Sequence, residues 1–267
     1  MKTYELTFLK LGGSLITDKS QPNTAKLNVI KRIAAEIADA RLEEPEERLL
    51  IGHGSGSFGH AAASKHQTHL GGQGQTYWQG FAEVWGAARA LNQIVIETLA
   101  ETGLPVIAFS PSAGIISANQ AIQSWDTHPL RLSLDHNMIP VVQGDVVFDT
   151  TLGGTILSTE QIFNTLAQQL LPQQVLIAGS EPGVLRDPDN PGDIIEHITP
   201  STLDKFLPVL SGADTADVTG GMLSKVQWMT ALVQKFPTLE IQIFSGLEEG
   251  NLHKALRGEC LGTRITI

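Results

Sequence analysis

The chain has 267 residues, 42% of them hydrophobic and 17% charged, which suits one large α/β domain or two small lobes and excludes a disordered chain. The net charge of −10, with no cluster of Lys and Arg, argues against nucleic acid as a partner. A single cysteine, Cys260, rules out an internal disulfide and fits a reducing compartment.

Met1-Lys2-Thr3-Tyr4-Glu5 runs straight into a short apolar stretch, without the roughly 7–15-residue apolar segment of a signal peptide. No run approaches the roughly 20 apolar residues of a membrane span. The expectation is a cytoplasmic protein with no membrane partner.

Leu6–Leu11 reads as a strand. Leu27, Ile30, Ile33, Ala34, Ile37 and Ala38 recur at helical spacing. Residues 49–51 form the next strand, and Phe81, Val84, Trp85, Ala88, Leu91, Val95 and Leu99 mark one face of a long helix. Residues 105–109 and 139–142 read as strands, and 146–157 as a hairpin with Gly153-Gly154 near its turn. A helix is predicted over 159–171, a strand over 175–178, and a loop rich in Pro, Gly, Asp and Asn over 182–191. A helix over 222–236 and strands over 241–244 and 264–267 complete the chain. Strands separated by helices predict an α/β fold with a mainly parallel sheet covered on both faces. A soft division falls near residue 172, giving lobes 1–172 and 173–267.

Three glycine-bearing segments punctuate this pattern. Lys10-Leu11-Gly12-Gly13-Ser14 follows the first strand, and Gly52-His53-Gly54-Ser55-Gly56-Ser57-Phe58-Gly59-His60 follows the second. Asp217-Val218-Thr219-Gly220-Gly221-Met222-Leu223-Ser224-Lys225 opens a helix. Glycine after a strand lets backbone N–H groups approach a ligand, and at a helix start they suit phosphate. The two turns that follow strands would share the C-terminal edge of the sheet, where ligands of open α/β sheets bind. Each alone could be a plain tight turn; three of them carrying two lysines and a histidine point to a phosphate site.

Residues 54–59 formally match G-x-G-x-x-G. The dinucleotide fingerprint also needs an acidic residue ending a strand about 20 residues later. Here a polar loop over 66–80 and then a helix are expected, with Glu83 on that helix, so a dinucleotide oxidoreductase is disfavoured. The Walker A pattern and the protein-kinase signatures are absent. His66 and His69 read as solvated loop residues, because no H-E-x-x-H or Cys partner accompanies them. No protein metal ligand is predicted.

Together these segments resemble the amino-acid kinase superfamily. The resemblance covers nearly the whole chain and adds Thr17-Asp18-Lys19, Gly144-Asp145, Ser158-Thr159-Glu160 and Gly262-Thr263-x-Ile265. Ser57-Phe58-Gly59-His60 and Thr17-Asp18-Lys19 are similar to the branch whose acceptor is itself a phosphate group, the isopentenyl phosphate kinases and fosfomycin kinases. The resemblance implies an open αβα sandwich, an N-terminal acceptor lobe, a C-terminal nucleotide lobe, a homodimer, and ATP with Mg2+ as cofactors. It implies transfer from ATP to isopentenyl phosphate in an alternative mevalonate route. Another small-molecule kinase of the superfamily and an idle ligand-sensing regulator remain as alternatives.

The resemblance also distributes roles. Lys10, Lys19 and Lys225 would meet the transferring and nucleotide phosphates, and Glu160, with Asp145, would orient the lysines. His60 would bind the acceptor phosphate rather than act as a base, since a phosphate monoester is already largely ionised at pH 7 (second pKa about 6). Lys10, Leu11, Gly12, Gly13, Ser14, Gly56, Ser180, Gly221 and Lys225 would contact ATP. Gly54, Ser55, Gly59, His60 and Thr159 would contact the acceptor. The chain departs from the family at Gly179-Ser180-Glu181-Pro182-Gly183-Val184, where the family often has Thr-Asp-x-Asp-Gly-Val, so the Ser180 contact carries less weight. Trp78, Phe81 and Trp85 could either wall an isoprenoid pocket or pack as ordinary helix residues.

Overall fold

The computed structural model describes residues 5–187, 189–212 and 221–267. The chain starts with β1 (Leu6–Leu11), a short α1 (Gly13–Ile16), α2 (Leu27–Glu43), β2 (Arg48–His53), α3 (Gly56–His66) and the long α4 (Gln75–Glu101). Then come β3 (Val106–Ala108), α5 (Pro111–Gly114), β4 (Ile115–Ala118), β5 (Ala121–Trp125), α6 (His128–Asp135), β6 (Ile139–Gln143), β7 (Asp145–Asp149), β8 (Gly153–Leu157) and α7 (Thr159–Leu170). The last third holds β9 (Gln174–Gly179), β10 (His197–Ile198), α8 (Leu203–Gly212), α9 (Gly221–Lys235), β11 (Glu240–Ser245), α10 (Asn251–Leu256) and β12 (Thr263–Ile265).

Eight of these strands form one sheet in the order β10-β12-β11-β9-β1-β2-β6-β3. Every pairing in it is parallel except β11 with β12. Strand alternation sends Leu6 and Phe8 to one face, where they pack with residues of α6, α7, α8 and α9. Leu9 and Leu11 face the other side, against α1, α2, α4 and α10. Both faces are covered, so the central strands β1 and β9 are buried almost throughout and mostly apolar, with Thr7, Lys10 and Gln174 as the polar exceptions. This is the three-layer αβα arrangement the resemblance implies. The second sheet, β5-β4-β7-β8, contains the predicted hairpin, with β7 and β8 antiparallel.

Two elements depart from the sequence pattern. Residues 56–66 form α3, and α4 already starts at Gln75, so the polar loop is shorter than expected. α3 buries only Gly56, Ser57, Phe58, Gly59 and Ala63, too little apolar surface for a helical period to register. The β4–β5 hairpin buries only Ile115 and Ser117 and shows no apolar alternation in sequence. The division near residue 172 falls between α7 and β9, and β9 pairs directly with β1, so one sheet spans both sides of it. Among the described residues, no helix is long and apolar enough to cross a membrane.

Candidate active site

A cavity of about 360 Å³ opens beyond the C-terminal ends of β1 and β9, where the starts of α3, α7 and α9 converge. The first two glycine turns press against each other there. A Cβ on Gly13 would sit 2.6 Å from Gly56 N, and Gly56 holds a φ of +49°, so side chains are excluded at this crossing. Thr17 fastens the pair: its hydroxyl donates to Gly13 O at 2.7 Å and accepts from Ser57 N at 3.0 Å. Gly221 and Lys225 bring the third segment to the same cavity. Its residues 217–220 lie outside the described residues.

Three lysines, Lys10, Lys19 and Lys225, and two carboxylates, Glu160 and Glu181, stand in the cavity wall. Lys10, at 5% exposure, forms an ion pair with Glu160. Ser158 and Gln161 cap the start of α7 reciprocally, which fixes Glu160 in its first turn. Burial alone would raise the Glu160 carboxyl. The charges of Lys10 and Lys225 and the Lys10 hydrogen bond outweigh it and hold the group below its ordinary value. Thr159 donates to His53 O at 2.8 Å, which ties the same turn of α7 to the end of β2. Lys19 is exposed and stands at the rim. Ser180 lines the cavity with its Oγ 3.3 Å from Ser14 Oγ.

A second cavity of about 370 Å³ adjoins the first and shares Ser55, His60, Gly144, Ile156 and Ser158 with it. His60 therefore stands at the junction. Ala63, Val84, Ala88, Ile156 and Trp228 give this cavity an apolar wall, while His69, Gln120, Gln161 and Asp145 give it a polar one. The first cavity suits anions: lysines, a histidine and glycine N–H groups surround it.

Comparison with known proteins places this arrangement. The sequence model of the amino acid kinase family matches residues 5–245. The chain belongs to the amino acid kinase family. It is 35% identical to an isopentenyl phosphate kinase of Methanocaldococcus jannaschii, across 97% of this chain and 98% of that one. It is 34% identical to an isopentenyl phosphate kinase of Methanothermobacter thermautotrophicus, across 98% and 99% of the two chains. An X-ray structure of isopentenyl phosphate kinase superposes with a TM-score of 0.82 at 30% identity, covering 98% of this chain and all of the other.

This amino acid kinase brings Lys10, Gly12, Gly13, Ser14, Lys19, Gly54, Ser55, Gly56, His60, Thr159, Glu160, Ser180, Gly221 and Lys225 to one cavity. Gly59 lines the second. Two candidates stand elsewhere. Leu11 points into the core beneath α1 and α2 and is fully buried, so it reaches a nucleotide at most through its backbone. Asp145 is bonded by Ser112 N at 3.3 Å and Val146 N at 2.9 Å, and it lines the second cavity, not the one that holds the lysines. Burial pushes its carboxyl up to about 6, against the pull of those hydrogen bonds.

His66 and His69 are not solvated as expected. His66 bonds Glu83 at 2.6 Å, joining α3 to α4, and His69 lines the second cavity. Among the described residues lining either cavity, Trp78, Phe81 and Trp85 do not occur. Trp78 and Phe81 stack with Tyr77 and Phe148, and Trp85 is 39% exposed beneath Arg89. The wall comes instead from Val84 and Ala88 on the same helix. Leu185, Val209, Leu210 and Met222 also line the first cavity and went unread in the sequence. They carry no signal beyond being apolar.

Proposed function

We propose that this amino acid kinase transfers the γ-phosphoryl group of ATP to isopentenyl phosphate, giving ADP and isopentenyl diphosphate, in the cytoplasm. The observation that carries the reading is His60 at the junction between a cation-rich cavity and a partly apolar one. A molecule with a phosphate head and a short hydrocarbon tail fits that junction. The resemblances to isopentenyl phosphate kinases support the same acceptor.

In this reading ATP lies in the first cavity with its phosphates over Gly12, Gly13, Gly56 and Gly221. Leu185, Val209, Leu210 and Met222 flank the base. Gly54, Ser55, Gly59, Thr159 and His60 hold the acceptor phosphate, and the tail runs along Ala63, Val84, Ala88 and Trp228. An acceptor oxygen forms the new P–O bond as the bond from the γ-phosphorus to the β–γ bridging oxygen breaks. No proton needs to be removed from the ionised monoester. Lys10 and Lys225 neutralise the charge that spreads over the transferring group, and Glu160 holds the Lys10 side chain in place through their ion pair. His60 donates a hydrogen bond to the acceptor phosphate.

Beside its cationic and N–H groups the first cavity has two carboxylates, Glu181 and the Glu160 that pairs with Lys10. Among the described residues, no set of three His, Cys, Asp or Glu side chains could hold a metal ion. This donor set fits Mg2+ carried on the nucleotide's phosphates, where it would neutralise charge on the β- and γ-oxygens. The resemblance implies a homodimer, which light scattering on the purified chain tests.

The test is ADP release over a panel of isopentenyl phosphate, dimethylallyl phosphate, longer prenyl phosphates, fosfomycin and carboxylate acceptors. Isopentenyl phosphate should give the highest kcat/KM. His69, Gln120 and Gln161 on the polar wall are the reason fosfomycin belongs in the panel. A clear preference for it, or for a carboxylate, would overturn the proposal.

A further inference from the structure

His53 ends β2 and is fully buried, and it lines neither cavity among the described residues. Its carbonyl accepts from Thr159 Oγ1 at 2.8 Å and from Gly144 N at 3.0 Å. Its ring lies between two further groups. Nδ1 is 3.1 Å from Gly54 O, and Nε2 is 2.9 Å from Oδ1 of Asn92, a residue of α4 that is 6% exposed.

Both contacts, so arranged, are to oxygens. A neutral imidazole has one N–H and can donate to only one of them. An imidazolium could donate to both, but burial disfavours that form and the nearby Lys10 charge adds to the effect. The two ends of a carboxamide have nearly the same shape. Turning the Asn92 amide by half a revolution satisfies both ring nitrogens: Nδ2–H of Asn92 donates to Nε2, and Nδ1–H of His53 donates to Gly54 O.

The consequence reaches the phosphate turn. In a planar trans peptide the C=O and the following N–H point to opposite sides. Pinning Gly54 O against the buried ring sends Ser55 N–H the other way, toward the cavity that Gly54, Ser55 and Gly56 line. At this start of α3, Phe58 N and Gly59 N already bond Ser55 O, and Ser57 N bonds Thr17 Oγ1. Among the described residues, Ser55 N and Gly56 N donate to no protein group. They are the N–H groups left to meet an anion.

We propose that His53 and Asn92 are positioning residues, a hydrogen-bond relay from α4 that aims the Ser55 N–H at the phosphate bound beside His60. The aim rests on the proposed function, because it takes that phosphate to be the acceptor's. The relay itself does not.

Two measurements test it. Long-range proton–nitrogen NMR on the wild-type enzyme reads the ring's tautomer directly, with the His53 signals assigned by their loss in His53→Asn. A neutral ring protonated at Nδ1 is expected; an Nε2–H ring or an imidazolium overturns the relay. Steady-state kinetics then compare His53→Asn with His53→Gln. The Asn amide nitrogen takes the place of Nδ1 and can still bond Gly54 O. The Gln amide nitrogen takes the place of Nε2 and cannot.

His53→Gln should raise the acceptor KM by roughly tenfold, the cost of about one hydrogen bond, and His53→Asn should recover most of it. A residue that merely fills space predicts the reverse order, since Gln is the larger replacement. An Asn variant no better than Gln therefore overturns the positioning role. A wild-type enzyme that is inert toward isopentenyl phosphate would instead reject the proposed function and leave the tautomer result standing.

Discussion

Glu160 is a carboxylate held ionised in a buried position by Lys10 and Lys225. Its pKa lies below the ordinary value, so the pairing stabilises the fold above the unfolded carboxylate pKa and is lost as pH falls through the folded value. At neutral pH the interaction is complete. Glu160→Gln would leave Lys10 buried without its anion, a loss on the order of 3–5 kcal/mol. Nucleotide phosphates would replace the missing charge. The melting temperature of Glu160→Gln should therefore fall well below wild type and rise more than wild type when ATP is added; equal shifts in the two proteins would contradict this charge balance. His60 gives a second residue-scale expectation. His60→Ala should raise the acceptor KM, and His60→Gln, which keeps a neutral donor, should retain more activity. Gln no better than Ala would reject the hydrogen-bonding role. Lys10 and the glycine turns after β1 and β2 were legible in sequence because they end apolar strands, whereas the roles of Lys19 and Lys225 came from the family resemblance. The surroundings of Asp145 were not legible, because Ser112 and Val146 hold it by backbone contacts that depend on how α5 meets β7.

At the scale of elements, α4 separates what periodicity reveals from what it hides. The spacing of Phe81, Val84, Ala88, Leu91 and Val95 marks the helix and its buried face, and the structure has both. It cannot say which part of that face meets core and which meets a cavity. Phe81 packs at 7% exposure against Trp78 and Phe148, whereas Val84 and Ala88, one and two turns further on, line the second cavity. Trp85 turns outward under Arg89. Val84→Phe should therefore narrow the cavity and raise the acceptor KM while the nucleotide KM holds. Trp85→Ala should leave both constants unchanged and alter stability by less than about 0.5 kcal/mol, as surface changes usually do. Acceptor kinetics of the pair check this, and a Trp85 effect larger than that of Val84 would place the aromatic residue back in the wall. α3 escaped detection for the opposite reason: its start is a glycine turn, and few of its residues touch the core.

At the scale of the molecule, one sheet carries the phosphate turns of β1 and β2 beside β9 and β11, so the two proposed binding regions share a rigid frame. Strand order of this kind comes from contacts distant in sequence. It was legible here through the family motifs more than through local pattern. Burial of Asp145 in this frame has a global signature. Its carboxyl is raised from 3.8 to about 6 in the folded protein, so between those values the folded state holds more protons than the unfolded one. Its contribution to stability therefore falls as pH rises through that window, by up to about 3 kcal/mol. Denaturant midpoints of wild type and Asp145→Asn, measured from pH 4 to pH 7, should shift in favour of the variant as pH rises. A difference that stays flat would show that Asp145 titrates normally.

In the proposed reaction the oxygen receiving the phosphoryl group belongs to a phosphate. Phosphorus-31 NMR of the enzyme with ATP, Mg2+ and isopentenyl phosphate tests it most directly. The monoester resonance should be replaced by two mutually coupled signals of a new P–O–P linkage, in step with the appearance of ADP. Unchanged isopentenyl phosphate, with or without ATP hydrolysis to free phosphate, would contradict it.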